Sequence, residues 1–303
     1  MLFVKNIATI SKALLCIVLS HSCTVYCSSP KNSQNKLIIE SRANEEVNEK
    51  KIKPQRRNPK DIAKSGYLKV CIKELPKSQA DNKNSADFLL QLTDVGFAKK
   101  MAEGLGVKKL IFVYGFPTYD AVITAVEQGK GDIGISNLSY TKERSRKVQF
   151  STPYLAPMRQ TLLIDRKLLH AADNASLVSI LNNDTVTIGT DRGTCYPAMS
   201  QKLFPAAKLV PESDWEYTVV QDFKSGKIRA TMRDELRIKL LIQQNPSLLF
   251  KFIPIMLKDK PDFISVAIEM ENVALLEWIN TFIRNACNPL SVDEIIKFDG
   301  VLT

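Results

Sequence analysis

The residues best suited to bind a small charged molecule lie in one stretch, GDIGISNLSYTKERSRKVQFSTPY, between Gly131 and Tyr154. Ile133 and Ile135 alternate with other residues as at the end of a buried strand. Small polar residues follow at once and offer hydroxyls, an amide and backbone N–H groups: Ser136, Asn137, Ser139 and Thr141. These groups can hydrogen-bond a charged ligand from several directions.

The same stretch predicts a helix start, with Thr141 as N-cap and Arg144 at the third helical position. This spacing keeps the guanidinium beside the end of the strand. A guanidinium, hydroxyls and helix N-terminal amides suit a carboxylate, because Arg binds planar oxyanions with two parallel hydrogen bonds. The alternative is a surface turn whose Arg is merely solvated.

These residues resemble the signature of the family 3 extracellular solute-binding proteins, the polar amino-acid receptors of bacterial ABC importers. That signature has a GxxD turn, a strand, a small polar segment and the motif T.ER...V.FS.PY. Its counterparts here are the turn ending at Asp132, then Thr141, Glu143-Arg144, Val148, Phe150-Ser151 and Pro153-Tyr154. The resemblance extends weakly over residues 66–300 and implies an α/β, two-lobed type II periplasmic binding protein fold, with two α/β lobes joined by two crossing strands.

Four parts of the chain are expected. Residues 1–28 form a signal peptide, 29–65 a disordered linker, 66–157 with 263–303 lobe 1, and 158–262 lobe 2. The leader carries Lys5 and Lys12, no acidic residue, and the apolar run 13–19, which is too short for a permanent membrane anchor. The leader predicts a periplasmic or extracellular protein. Lipid attachment at Cys23 or Cys27 is the alternative processing route.

The linker explains most of the positive charge. Residues 30–65 carry a net charge of +5 and the leader +2, so about +3 of the formal net charge of +10 belongs to the folded part. This balance does not predict nucleic-acid binding. The basic pairs Lys50-Lys51 and Arg56-Arg57 are either part of a solvated tether or a contact to anionic lipid or polymer.

Two further residues of lobe 1 are candidates by resemblance. The loop after the first strand often supplies an aromatic wall, and sometimes an acid, to the ligand in this family. Here Glu74 lies in that loop, with Lys73 and Leu75 beside it. Tyr119 occupies the position of an aromatic that stacks on the ligand side chain. The alternative for Tyr119 is a core aromatic at a strand-to-helix corner.

Lobe 2 contains a second anion-binding pattern, in which the strand 185–188 leads through a glycine-bearing turn to a helix N-terminus. By resemblance Gly193, Thr194 and Cys195 form the family's GT(T/S) loop, which holds the ligand carboxylate. The thiol of Cys195 is a weaker donor than the usual hydroxyl.

The resemblance also indicates that Asp234 binds the ligand's α-ammonium, with Glu235 as the adjacent substitute. The alternative is that Asp234 is a helix N-cap, because the following residues could start a helix. Arginines at positions 229, 233 and 237 flank Asp234 and could favour an acidic side chain on the ligand.

Cysteine and histidine usage restricts the remaining chemistry. Outside the leader the chain has Cys71, Cys195 and Cys287, so at most one disulfide can form, and Cys71–Cys287 is the pairing to test. The two histidines are His21 and His170, and no pattern for a metal, a phosphate-binding loop or a cofactor is found.

Two function classes follow. The first is a monomeric receptor, not an enzyme, which closes over an amino acid or similar small zwitterion and passes it to an ABC permease in the inner membrane. The second is an enzyme of dehydratase type or a sensor module on the same scaffold. A dehydratase needs a positioned acid, for which Glu74 is the unassigned candidate.

Overall fold

The structure is a computed structural model that describes residues 24–26, 37–43, 56–75, 77–170 and 176–298. The described residues form two compact units, which we call lobe 1 and lobe 2. Lobe 1 comprises the described residues up to Ala156 and those from Phe263 onwards, whereas lobe 2 spans Pro157–Asp262. The chain therefore passes between the units twice.

Lobe 1 is built on a mixed seven-stranded sheet of order β1-β2-β4-β3-β5-β12-β6. Its strands are β1 (Thr24–Tyr26), β2 (Ile38–Ala43), β3 (Tyr67–Lys73), β4 (Lys109–Phe116), β5 (Ile133–Gly134), β6 (Val148–Phe150) and β12 (Ala267–Glu269). Its described helices are α1 (Pro59–Ser65), α2 (Lys77–Ala80), α3 (Ala86–Gly104), α4 (Tyr119–Glu127), α10 (Val273–Ala286) and α11 (Val292–Ile296). Strands β2, β4, β3 and β5 run parallel, so their carboxyl ends lie at one edge.

Lobe 2 has a five-stranded sheet of order β11-β7-β10-β8-β9. Its strands are β7 (Met158–Asp165), β8 (Thr187–Asp191), β9 (Lys208–Glu212), β10 (Ala230–Asp234) and β11 (Phe252–Asp262). Its described helices are α5 (Arg166–His170), α6 (Leu177–Leu181), α7 (Tyr196–Leu203), α8 (Trp215–Ser225) and α9 (Glu235–Gln244). Strands β10, β8 and β9 are parallel, and β7 pairs antiparallel with β10 and β11.

Strand alternation builds two apolar layers in lobe 2. Consecutive side chains of a strand point to opposite faces of the sheet. Leu162 accordingly packs with the aromatic rings of α7 and its surroundings, and Leu163 packs with the core on the side of Trp215 and α8. Both leucines are fully buried. The sheet is therefore covered on both faces, which leaves its edges and strand ends to carry polar chemistry.

The prediction of a disordered linker over residues 29–65 is wrong for the described part of that segment. Strand β2 pairs parallel with β4, and α1 immediately precedes β3. Helix α1 starts with a capping box, in which Asn58 accepts the Asp61 backbone N–H at 3.0 Å and Asp61 accepts that of Asn58 at 3.2 Å. Local capping therefore gives this short polar segment a helical conformation that its composition does not indicate.

The membrane-contact interpretation of Arg56-Arg57 is also wrong for Arg57, which is buried against the GxxD turn. Its Nε donates to Asp132 Oδ1 at 2.7 Å, and its NH2 donates to the other oxygen of the same carboxylate. The guanidinium also donates to Ser65 Oγ at 2.7 Å. Burial raises the pKa of Asp132, although the Arg57 charge opposes this. This ion pair joins the segment before α1 to the sheet of lobe 1.

The polar residues 77–87 predict a loop, and the sequence from Val95 predicts a helix, but helix α3 begins earlier, at Ala86. Its N-cap is Ser85, whose Oγ accepts the Phe88 N–H at 3.1 Å. Nearly every residue of the first half of α3 is buried. A helix buried on all sides lacks the polar face that produces a helical pattern in sequence.

Candidate ligand-binding site

The small polar segment of lobe 1 follows β5, at the carboxyl edge of the parallel strands. Ser136 is buried, and its Oγ accepts the Lys73 backbone N–H at 2.9 Å. Asn137 has a φ of 48°, a left-handed conformation that asparagine tolerates better than most residues. Its Oδ1 is buried and has no hydrogen-bond partner among the described residues. The segment therefore presents at least one acceptor that the described part of the chain leaves unused.

Arg144 lies in a 3₁₀ turn, Arg144–Arg146, and not in the α-helix that the sequence predicted. The predicted cap contact is nevertheless present, because Thr141 Oγ1 accepts the Arg144 backbone N–H at 3.1 Å. The turn ends at once because β6 begins at Val148 and pairs with β12. Tertiary pairing thus stops a helix that local signals would have continued.

The guanidinium of Arg144 is buried and held from two sides. Its Nε donates to Asp120 Oδ1 at 2.9 Å, and its NH1 donates to the Ser139 carbonyl at 3.1 Å. Asp120 belongs to α4, and its side chain is 64% exposed. These two bonds use two of five N–H donors, so the terminal nitrogens keep donors for a further oxyanion. The arrangement fixes the plane of the guanidinium while leaving binding capacity.

The other two lobe 1 candidates differ in burial. Tyr119 is buried in the lobe 1 core, where its hydroxyl donates to Asp87 Oδ1 at 3.3 Å and the Lys73 ammonium lies 5.2 Å from its ring centroid. These contacts fit the core-aromatic alternative, and stacking on a ligand stays a prediction. Glu74 is exposed, and its backbone N–H donates to the Phe116 carbonyl at 2.9 Å.

Sequence reasoning overlooked Tyr140, which lies between two of the predicted site residues. Its side chain is 52% exposed, and its ring meets that of Phe150 edge-on with centroids 5.5 Å apart. Its backbone N–H donates to the Phe263 carbonyl at 2.9 Å. An exposed aromatic held by backbone pairing can stack on a ligand. Its position inside the polar segment was the available signal.

The predicted loop of lobe 2 follows β8. Gly193 has a φ of 79°, which glycine adopts without strain. Thr194 Oγ1 donates to the Asp191 carbonyl at 2.6 Å and accepts the Tyr196 N–H at 3.3 Å. Cys195 precedes α7, and its side chain makes no capping hydrogen bond. Thr194 thus stabilises the turn, whereas the Cys195 thiol does not cap the helix.

Asp234 ends β10 and is the N-cap of α9, as the alternative interpretation predicted. One oxygen accepts the Arg237 backbone N–H at 3.0 Å, and the other accepts Arg237 NH1 at 2.8 Å. Burial alone would raise the pKa of this carboxyl, but the guanidinium groups of Arg237 and Arg233 lower it below its ordinary value. A carboxylate accepts about four hydrogen bonds, so capping does not exclude a ligand contact.

The arginines flanking Asp234 have carboxylate partners within lobe 2. Arg233 is buried, its NH2 lies 3.1 Å from Asp191 Oδ2, and its guanidinium carbon lies 5.0 and 5.4 Å from the ring centroids of Tyr196 and Trp215. Arg229 pairs through Nε with a carboxylate of β7 at 2.8 Å. These ion pairs offset much of the positive charge, and a preference for an acidic ligand stays a prediction.

The three described cysteines are free thiols, so the suggested Cys71–Cys287 disulfide is not formed. Cys71 is fully buried in β3, and burial raises the pKa of its thiol to about 12. Cys287 follows α10 and lines a cavity of about 160 Å³ next to α3 and α11. Cys71 and Cys287 thus lie in different parts of lobe 1, and their spacing in the sequence does not reveal whether two cysteines are close enough to form a disulfide.

Two α/β units joined by two chain crossings, each with polar groups at strand ends, define a two-lobed ligand-binding protein. Residues 93–297 match the family model of the bacterial extracellular solute-binding proteins, family 3. The match spans well over half of the sequence, and the chain belongs to this family. The resemblance seen in the sequence is confirmed.

Curated relatives include transport proteins and one enzyme. The chain is 25% identical over 190 residues to the ABC transporter arginine-binding protein 1 of Escherichia coli (strain K12), an alignment that covers 62% of this chain and 72% of the relative. It is 23% identical over 157 residues to a cyclohexadienyl dehydratase of Pseudomonas aeruginosa, covering 51% of this chain and 55% of the relative.

Solved structures of similar proteins support the fold. An ancestral amino-acid-binding protein, described as a precursor of cyclohexadienyl dehydratase, superposes with a TM-score of 0.56 at 25% identity, covering 79% of this chain and 97% of that one. The arginine-bound form of truncated ArgBP from T. maritima gives 0.54 at 23% identity, with coverage of 74% and 98%. The predicted fold class is confirmed.

Proposed function

We propose that this protein is an extracytoplasmic receptor that closes two lobes over an amino acid or a similar small zwitterion for delivery to an ABC importer. The observation that carries the proposal is the buried guanidinium of Arg144, oriented by Asp120 and the Ser139 carbonyl. A buried Arg with free donors and a fixed plane is suited to a carboxylate. The family membership supports this use.

Lobe 2 supplies the complementary charge. Asp234 is ionised and has acceptor capacity beyond its contacts with Arg237, so it can receive the ligand's α-ammonium. The Gly193–Cys195 turn adds backbone donors for the carboxylate. Because neither lobe alone satisfies both charged ends, ligand binding favours closure about the two crossings.

The cellular setting follows from the sequence and the relatives. The predicted signal peptide directs the chain out of the cytoplasm. Among the described residues, none of the helices could span a bilayer. The partner expected from the family is a permease in the inner membrane, and the receptor is expected to act as a monomer.

A dehydratase remains the second candidate because one relative carries that activity. The residue that the sequence offered as proton donor, Glu74, is exposed at the end of β3. An acid catalyst is usually held in a partly buried setting that tunes its pKa. The position of Glu74 therefore favours the receptor over the enzyme.

Thermal-shift screening of the purified protein against the twenty amino acids tests the proposal. A ligand that binds the native state alone stabilises it by about 2.7 kcal/mol at one hundred times its Kd. For a protein of this size that corresponds to about 5 to 10 °C in the unfolding midpoint. Small-angle scattering with the same ligand should show a smaller radius of gyration. The proposal is contradicted if no amino acid raises the unfolding midpoint, or if a saturating ligand leaves the radius of gyration unchanged.

A further inference from the structure

A side chain of lobe 2 outside the predicted site has an unused hydrogen-bonding group. Gln160 lies on β7 and is 3% exposed. Its Nε2 has a long contact of 3.9 Å to Met199 Sδ, whereas its Oε1 is buried and has no hydrogen-bond partner among the described residues. A buried amide oxygen without a donor reduces the stability of the folded state. Its presence indicates a donor that the described residues do not supply.

Gln160 is the cross-strand neighbour of Asp234. The antiparallel pairing of β7 with β10 places Gln160 directly opposite Asp234. Directly opposed residues project from the same face of a sheet, with Cβ atoms about 4.5 to 5.5 Å apart. The side chain that carries the unused amide oxygen and the Asp234 side chain are therefore neighbours on one face of the sheet.

The chemistry of the missing donor follows from this pair. The Asp234 oxygens each accept one bond from Arg237 and can each accept another. A primary ammonium has three N–H donors and requires several acceptors around it. We propose that Gln160 is a further ligand-binding residue, whose Oε1 and the Asp234 carboxylate together receive the ligand's primary ammonium. This inference rests on the proposed function and adds the group that recognises the amine.

Ligand-free stability provides the first test. Gln160→Met keeps the length of the side chain but removes the unused acceptor, so the unfolding midpoint of the purified protein should rise by about 2 to 4 °C. The matched control is Thr161→Val, next on the same strand. Thr161 is equally buried, but its Oγ1 donates to the Arg159 carbonyl at 3.3 Å. This variant should not raise the midpoint. A fall in the Gln160→Met midpoint would assign Gln160 a structural role.

Binding provides the second test. Titration calorimetry compares three amino acids, each with its analogue that lacks the α-amino group: L-glutamate with glutarate, L-lysine with 6-aminohexanoate, and L-alanine with propionate. For whichever amino acid binds, Gln160→Met should weaken affinity about 10- to 100-fold, because a hydrogen bond to a charged group is lost. The affinity for the analogue without the α-amino group, which binds more weakly, should change by less than about 3-fold.

The outcomes separate the two proposals. If an amino acid binds the unmodified protein and Gln160→Met equally well, the Gln160 inference fails and the receptor stands. If Gln160→Met weakens the amino acid and its α-desamino partner by the same factor, the amide does not recognise the amine. If none of the twenty amino acids in the thermal-shift screen binds the unmodified protein, the proposed function fails and this inference fails with it.

Discussion

Replacing Arg144 by lysine keeps one positive charge and removes the planar fork. In the ligand-free protein the substitution loses the bond to Asp120, which contributes about 0 to 1 kcal/mol because Asp120 is largely exposed. It also loses the bond to the Ser139 carbonyl, which contributes about 1 kcal/mol. We expect a total loss of about 1 to 2 kcal/mol, or about 3 to 6 °C in the unfolding midpoint.

Binding should suffer more than folding. A charge-assisted pair to a ligand carboxylate contributes about 1.5 to 3 kcal/mol, and a lysine ammonium cannot reproduce two parallel N–H bonds. Arg144→Lys should therefore raise the Kd of the amino acid found by thermal shift about 10- to 100-fold. Titration calorimetry at fixed ionic strength measures this change directly.

Arg146 offers a matched control on the same turn. It is exposed, so Arg146→Lys should change stability and affinity by less than about 0.5 kcal/mol. Circular dichroism of both variants verifies that the fold is retained. Unchanged affinity in Arg144→Lys, or equal losses in the two variants, would remove Arg144 from the binding site.

Two further predictions concern the folded framework. Arg57→Met should lower the free energy of unfolding, measured by urea titration, by about 3 to 5 kcal/mol, because it leaves the buried Asp132 carboxylate unpaired. The control Arg56→Met changes a half-exposed site and should lower it by less than about 1 kcal/mol. Equal effects of the two substitutions would contradict the buried ion pair. At pH 8 iodoacetamide should modify Cys287 in the native protein but leave Cys71 unmodified until denaturant is added. The reason is that Cys71 is fully buried and burial raises the pKa of its thiol to about 12. A Cys71–Cys287 disulfide found by peptide mass spectrometry would refute the assignment of both residues as free thiols.

Local signals in the sequence predicted several features of the site. The Thr141 cap of Arg144 spans three residues. The spacing of Ser291 and Glu294 likewise predicts a capping box, and α11 starts with one. Asp234 caps α9, which was one of its two predicted roles. Such contacts depend on neighbours a few residues apart, so residue type and spacing are sufficient to predict them.

Contacts between distant parts of the chain were not predictable in this way. Arg57 lies 75 residues before Asp132, and its segment has the composition of a solvated tether. Its burial depends on contacts with Asp132, Ser65 and the ring of Tyr67, which no local pattern encodes. Helix α3 was placed too late for a related reason, because a helix buried on all faces has no polar side to mark it.

The sequence by itself indicated the family and the α/β class, and it supplied the candidate residues for binding both ends of a zwitterion. The tertiary structure decided the contacts of those residues: Asp120 of α4 hydrogen-bonds Arg144, two arginines lower the pKa of Asp234, and sheet register places Gln160 opposite Asp234. Residue types set which chemistry is available, whereas burial and register set which donors and acceptors remain unsatisfied. Those quantities depend on groups far apart in the chain, which meet when the sheets form.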